Sequence, residues 1–176
     1  MGRMFEILKI VAFATCAAIT YGILHDQITA HLCVEYFTIA HPPVFPTSSP
    51  VLLAIGWGTI ATWWIGLSLG LGLALVAQLG RAPTIPLRTL RRPIIMLMLV
   101  CGGVALAAGL FGAVLVGSEV AAVPGMWGAV IPESKHVAFS AAAYAHLASY
   151  ASGGICGLFL VLRTAWLRRR LATTNV

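Results

Sequence analysis

The side chains of this sequence that are best suited to chemistry are its histidines and the carboxylates near them. Imidazole and carboxylate groups are the usual protein ligands of zinc, iron, copper and manganese, and three or four that converge can hold an ion. The candidate metal ligands are His25, His31, Glu35, His41 and His136. His31 and Glu35 are four residues apart and would project from one helical face, but one straight helix cannot also aim His25 at the same ion. A shared site therefore requires a bend or ligands from other segments.

A structural interpretation of the same residues stays open. Ionisable side chains near the end of a membrane span usually lie in water or among headgroups, and Asp26, Glu119 and Glu133 fit that description. His25 and His31 would then only orient the turn out of the membrane.

His146 differs from the other histidines in its depth within an apolar stretch. It lies about ten residues into the last such stretch, which places it roughly 15 Å along a helix. An ionisable side chain at that depth must face the interior of the protein and find a partner, which makes His146 a candidate cofactor ligand. Tyr150, on the same face, is its candidate hydrogen-bond partner, and Ala142 four residues earlier fits a pattern of porphyrin ligation. The alternative is a neutral histidine bonded to another helix.

The elements that must position these residues are apolar helices. The mean hydropathy is +0.95, with 60% hydrophobic and 9% charged residues among 176, which is typical of an integral membrane protein. About 20 apolar residues cross a bilayer as a helix. We predict an all-α, single-domain four-helix bundle over residues 1–176. Its spans are expected at about 7–24, 50–79, 93–117 and 137–166.

Two segments between the spans are expected on the outer side of the membrane, at 25–49 and 118–136. In the first, Ile28, Leu32, Tyr36 and Ile39 share one helical face, with His31 and Glu35 on another, which predicts an amphipathic helix along the outer interface. The prolines after it must end that helix. The second segment is expected to pack against the first as a lid.

Basic residues mark the other side. Ten of the eleven Lys and Arg residues fall at the amino terminus, in the loop 80–92, or at the carboxyl end that includes the tail 167–176. Lys and Arg are concentrated in the cytoplasmic loops of membrane proteins. Both termini are therefore predicted to be cytoplasmic, in a bacterial inner membrane. Arg168, Arg169 and Arg170 are expected to bind anionic headgroups, as are Arg91 and Arg92. This distribution argues against a nucleic-acid partner and leaves the lipid bilayer as the expected one.

Small residues spaced four apart indicate how the spans pack. Helices in lipid associate through close backbone approach, and Gly66 and Gly70 in the second span illustrate the pattern. Spans one and two, and spans three and four, could form two hairpins. The same glycines would also suit a homo-oligomer or a larger complex. The four cysteines form no close pair, so neither a disulfide framework nor a thiolate zinc site is indicated.

Three short stretches carry a resemblance to a known group of proteins. They are YGILHDQIT at 21–29, EYFT at 35–38 and ATWWIG at 61–66. The chain resembles small bacterial multi-span membrane proteins that have no assigned activity. The resemblance implies a bacterial inner-membrane protein and identifies no catalytic residue.

Three functions are compatible with these features. The first is a non-catalytic membrane component or accessory subunit whose polar cluster stabilises the outer loops. The second is a membrane protein that binds a transition metal or haem through the histidine cluster. The third is a small proton-coupled transporter that uses His146 as its titrating group. A metal-dependent enzyme also stays open.

Overall fold

Four long helices form the body of the protein. The computed structural model describes residues 2–123 and 125–174. Met1, Pro124, Asn175 and Val176 of the predicted domain lie outside the described residues. The described helices are α1 (Gly2–Leu32), α2 (Val34–Thr38), α3 (Pro50–Gln78), α4 (Leu87–Gly117), α5 (Trp127–Val130) and α6 (His136–Thr174), with a 3₁₀ turn at Glu133–Lys135. The described residues contain no strand. The predicted all-α four-helix bundle is confirmed.

The four long helices are α1, α3, α4 and α6. Each is long and apolar enough to cross a membrane, which indicates a multi-pass membrane protein. Large apolar side chains on their outward faces are exposed, among them Leu24, Leu106 and Ile155. Such a surface suits lipid and not water.

The first helix is longer than the sequence pattern predicts. A span ending at residue 24 and a separate amphipathic helix from residue 25 were expected, but α1 continues to Leu32. The chain becomes extended only at Cys33, and the separate helix α2 has five residues. No proline or glycine lies between residues 23 and 32, so nothing in that segment breaks the helical hydrogen bonds. His25 and Asp26 therefore belong to the long helix itself.

The four long helices pair as two hairpins, α1 with α3 and α4 with α6. Glycine allows the backbones to touch in both pairs. A Cβ atom added to Gly22 would lie 2.5 Å from the carbonyl oxygen of Gly58, and one added to Gly109 would lie 3.1 Å from that of Ala141. The hairpins expected from the sequence are therefore present. In contrast, a Cβ atom on Gly153 would meet nothing within 4 Å.

Gly66 provides a test of the α1–α3 contact. A Cβ atom there would lie 2.7 Å from the Cβ of Ala18 and 2.8 Å from the Cα of Thr15. Because backbone atoms cannot yield as a flexible side chain can, we expect Gly66→Ala to lower the free energy of unfolding by about 1–3 kcal/mol. Gly153→Ala, which introduces the same methyl group into open space, should leave stability unchanged or raise it slightly. Thermal unfolding in detergent measures both, and equal melting temperatures would contradict this packing.

The two ends of the bundle differ in chemistry. The end that carries α2 and α5, together with His25, His41 and His136, is called the histidine end. The opposite end, with the α3–α4 connection and the end of α6, is called the arginine end. At the arginine end, Glu6 Oε2 accepts the backbone N–H of Leu87 at 3.1 Å, which caps the start of α4.

Arg168 at the arginine end is a correction to the sequence analysis. The prediction that it binds lipid headgroups is wrong, because its side chain is buried, with 6% exposed. Its guanidinium donates to the carbonyl oxygens of Val76, Leu79, Ala82 and Pro83. A cation suits the carboxyl end of α3, where carbonyl groups lack helical partners.

Candidate metal centre

Two helices from different hairpins carry ionisable side chains that meet inside the bundle, towards its histidine end. His25 and Asp26 lie in α1, about 10 Å before its last residue, and His146 lies ten residues into α6. Asp26 and His146 are buried, with 5% and 6% exposed. The prediction that His146 faces the interior of the bundle is confirmed. The site therefore lies where the two hairpins meet.

Donor atoms of His25, Asp26 and His146 converge. One ligand atom from each lies within 4.8 Å of the other two. His146 Nε2 is 3.2 Å from Asp26 Oδ1. The rings of His25 and His146 contact edge to face, with centroids 4.6 Å apart. Two imidazoles and a carboxylate thus form one group.

The hydrogen bonds of His146 determine which of its nitrogens is free. Nδ1 lies 2.8 Å from the carbonyl oxygen of Ala142, one turn earlier in α6. A carbonyl only accepts, so Nδ1 carries the hydrogen. Nε2 then carries no hydrogen of its own. It can accept a hydrogen bond from a protonated Asp26, or it can bind an ion. A metal-binding histidine commonly donates its other N–H to a backbone carbonyl in this way.

His25 contributes an unsatisfied atom to the group. Its Nε2 is buried and has no hydrogen-bond partner among the described residues. A buried polar atom without a partner costs about 1–3 kcal/mol. Such a cost is removed when a ligand fills the place of the partner. The free nitrogen of His25 therefore points to a bound species at this position.

Aromatic rings surround the group on the side of α2. The ring centroids of Tyr36 and Phe37 lie 4.5 and 5.7 Å from that of His146. His41 packs on Tyr36 at 4.9 Å, and Trp57 of α3 packs on His41 at 4.8 Å. These rings separate the buried donors from the surface. In such an environment electrostatic interactions are stronger than in water.

His41 lies in this aromatic layer and outside the group of converging donors. Its Nδ1 donates to the carbonyl oxygen of Tyr36 at 2.8 Å. Burial lowers the pKa of His41 below its ordinary value, although the bond to the carbonyl oxygen of Tyr36 opposes this shift. Burial raises the pKa of Tyr36 well above its ordinary value. Both rings are therefore uncharged near neutral pH.

The other predicted metal ligands lie elsewhere at the histidine end. His31 is exposed, and its Nδ1 bonds to the carbonyl oxygen of Gln27 at 2.7 Å. His136 Nε2 bonds to the carbonyl oxygen of Ile131 at 3.0 Å. The structure brings neither residue into the group with His25 and His146. Their observed bonds only order the chain locally.

Glu35 joins the two outer segments instead of the candidate centre. Its Oε1 lies 3.4 Å from Lys135 Nζ, and the thiol of Cys33 donates to its Oε2 at 3.5 Å. Burial alone would raise the pKa of Glu35, but its backbone, thiol and ammonium partners together lower it below the ordinary value. An apolar cluster that includes Cys33, Ile131 and Phe139 lies beside this pair. The expected lid is therefore present.

Tyr150 was predicted to be the partner of His146, and the structure gives a different partner. His146 bonds to Asp26 and to the carbonyl oxygen of Ala142, while Tyr150 lines a separate cavity of about 310 Å³ in the middle of the bundle.

The burial of Asp26 differs from the sequence prediction, which places this residue in solvent just beyond the end of the first span. The signal that could have located it is the absence of any helix-breaking residue between 23 and 32.

Comparison with known proteins gives no relative on which a function could be based. No family model matches the chain, and no match was found among curated proteins or solved structures. Function must therefore be inferred from the residues of the candidate centre, since a fold class alone does not define an activity.

Proposed function

We propose that this protein is a membrane metalloprotein that binds one divalent transition-metal ion through His25, Asp26 and His146. The observation that carries the proposal is the convergence of these three donors inside the bundle, with a ring nitrogen of His25 left without a partner. Two neutral imidazoles and one carboxylate suit zinc or iron(II). Three protein ligands also leave a position at which a further molecule can bind.

The distances fit an ion of this size. Ligand atoms at about 2.0–2.2 Å from a tetrahedral ion lie about 3.3–3.6 Å from one another. His146 Nε2 and Asp26 Oδ1 are already 3.2 Å apart. All three ligand atoms lie within 4.8 Å of one another, so small shifts of the side chains would bring them onto one ion. The carbonyl of Ala142 holds the ring of His146 in the matching orientation.

The same geometry favours a single ion over haem. The rings of His25 and His146 are only 4.6 Å apart, and Asp26 faces the free nitrogen of His146. A porphyrin ring has no room at that nitrogen. The surrounding aromatic rings are also packed on one another and leave no flat slot between them.

The distribution of charge suggests which membrane face the centre approaches. Ten of the eleven basic residues lie at or near the arginine end, and the centre lies towards the histidine end. Under the positive-inside rule the termini are cytoplasmic and the centre lies towards the outer face. In a bacterial inner membrane it would exchange its ion or substrate with the periplasm or with the outer leaflet.

Metal titration of purified protein tests the proposal. After removal of bound metal by a chelator, detergent-solubilised protein should take up one cobalt(II) ion per chain. Its visible spectrum should show the intense bands of a four- or five-coordinate ion with nitrogen ligands. Affinity should fall as the pH is lowered, because protons compete for the same ligand atoms. Failure to bind an ion in this stoichiometry, or a spectrum of hydrated cobalt, would overturn the proposal.

A proton-coupled transporter is the second candidate, and the pair formed by Asp26 and His146 favours it. The two side chains share one proton inside a membrane helix bundle, which is a common feature of proton pathways. In that case the metal-stripped protein in liposomes would move protons with a solute, and Asp26→Asn would stop the movement. The free nitrogen of His25 has no role in this scheme, which is why the metal centre is preferred.

A further inference from the structure

A buried metal centre needs a route by which the ion enters, and the sides of this centre differ in what they offer an ion. An apolar groove between α1 and α4 reaches His25 and opens towards the lipid, with Leu24 and Leu106 in its wall more than 60% exposed. A divalent cation would lose its hydration there without gaining a ligand, which is strongly unfavourable. The route that remains on the near side of the bundle starts at the outer face, beside α2.

The aromatic layer, made of Tyr36, Phe37, His41 and Trp57, closes that side of the centre. Most of the layer offers no ligand. The indole N–H of Trp57 only donates, Phe37 has no polar side-chain atom, and the phenol of Tyr36 keeps its proton near neutral pH. A neutral imidazole is different, because one of its nitrogens carries a lone pair. Within the layer, the side chain that can bind an ion is therefore His41.

The hydrogen bond of His41 leaves its Nε2 available to an ion. Nδ1 lies 2.8 Å from the carbonyl oxygen of Tyr36, and a carbonyl only accepts, so Nδ1 carries the hydrogen. The lone pair then belongs to Nε2, which makes no hydrogen bond to the described residues. His146 has the same arrangement through the carbonyl of Ala142. Both rings thus show the hydrogen-bond pattern of metal-binding histidines.

His41 lies between the outer surface and the centre. Its side chain is half-buried, and residues 42–44, which follow it, are exposed. Tyr36 contacts both His41 and His146, with ring centroids 4.9 and 4.5 Å from its own. The two histidines are thus one aromatic ring apart. An ionised Asp26 also lies within electrostatic range of His41 and attracts a cation to that ring.

We propose that His41 is a second metal-binding position, which receives an ion from the outer face and passes it to the centre. This proposal rests on the metal centre itself, because the position serves only to fill and empty it. In passage, the bond from the ion to His41 Nε2 breaks as bonds to the three ligands of the centre form, with no change of oxidation state. A residue that binds the ion only in passage lowers the barrier in both directions. It speeds uptake and release by the same factor and leaves affinity unchanged.

Two substitutions remove Nε2 of His41 and keep different parts of its surroundings. His41→Asn keeps an amide N–H that can donate to the carbonyl of Tyr36, and His41→Phe keeps a ring that packs against Trp57. His31→Asn is the matched control, because Nδ1 of His31 also bonds to a backbone carbonyl, but the residue is exposed and outside the layer. Each metal-stripped protein in detergent would be mixed with cobalt(II) in a stopped-flow spectrometer. Mixing the loaded protein with a chelator then measures release.

Both His41 variants should take up and release cobalt at least about tenfold more slowly than the unchanged protein, with affinity within about twofold, whereas His31→Asn should change neither rate. Unchanged rates in both His41 variants would mean that the ring only packs, and would overturn the proposal. Faster release with unchanged uptake would make His41 a permanent ligand, and faster uptake would make it a barrier. Either result also overturns the proposal and leaves the metal centre standing. If the unchanged protein binds no cobalt, the proposed function fails and this position with it.

Discussion

We expect His146→Ala to weaken metal binding by more than about 100-fold, with His31→Ala as a control that leaves affinity unchanged. Loss of a residue that only orients a ligand typically costs 10–100-fold in affinity, so loss of a ligand should cost more. His146 lies at the centre of the proposed site and is 3.2 Å from Asp26. His31 is at the same end of the bundle but is exposed. Cobalt(II) titration of both variants measures the difference.

A second variant separates binding from folding. His146→Ala leaves Asp26 buried beside an empty space, which could destabilise the bundle by itself. His146→Gln keeps a side-chain amide that can donate to the carboxylate. We expect this variant to melt within a few degrees of the unchanged protein and still to lose cobalt binding. Tight binding by a folded His146→Gln protein would show that this residue is not a ligand.

The helical body of the protein could be predicted from the sequence because its causes are local. Apolar stretches of about 20 residues define spans wherever they occur, and glycines spaced four apart indicate where backbones touch. The contact of Gly66 with Ala18 is an example. The interior position of His146 also followed from its depth alone, since an ionisable group cannot face lipid without cost.

Asp26 could not be assigned in the same way, because what keeps it buried is far away in the sequence. Beside a predicted span end, a carboxylate is normally solvated. Its partner His146 is 120 positions later, on the other hairpin, and no spacing rule connects the two. Whether Asp26 is buried depends on where α1 ends, and helix ends are the least certain feature of a hydropathy pattern. The burial of Arg168 could not be predicted for a related reason. Its partners are backbone carbonyl oxygens, which every residue has, so the residue types do not show where it binds.

Arg168→Ala is expected to lower the free energy of unfolding by more than about 3 kcal/mol. The guanidinium donates to four backbone carbonyls at the end of α3 and in the loop after it, among them Val76 and Pro83. Each buried acceptor that loses its donor costs about 1–3 kcal/mol. The positive charge also opposes the partial negative charge at the carboxyl end of α3. Thermal unfolding in detergent measures the loss.

Two further substitutions separate this role from a general need for positive charge. Arg169→Ala removes a neighbouring basic side chain that is exposed, and should change stability by less than about 0.5 kcal/mol. Arg168→Lys keeps the charge but cannot present the planar fork that reaches several carbonyls at once, so its stability should lie between those of the Ala variant and the unchanged protein. Equal melting temperatures for Arg168→Ala and Arg169→Ala would mean that both side chains act at the lipid surface. The buried fork predicts that they differ, because Arg168 joins the end of α6 to the end of α3 and the exposed Arg169 side chain does not fill that position.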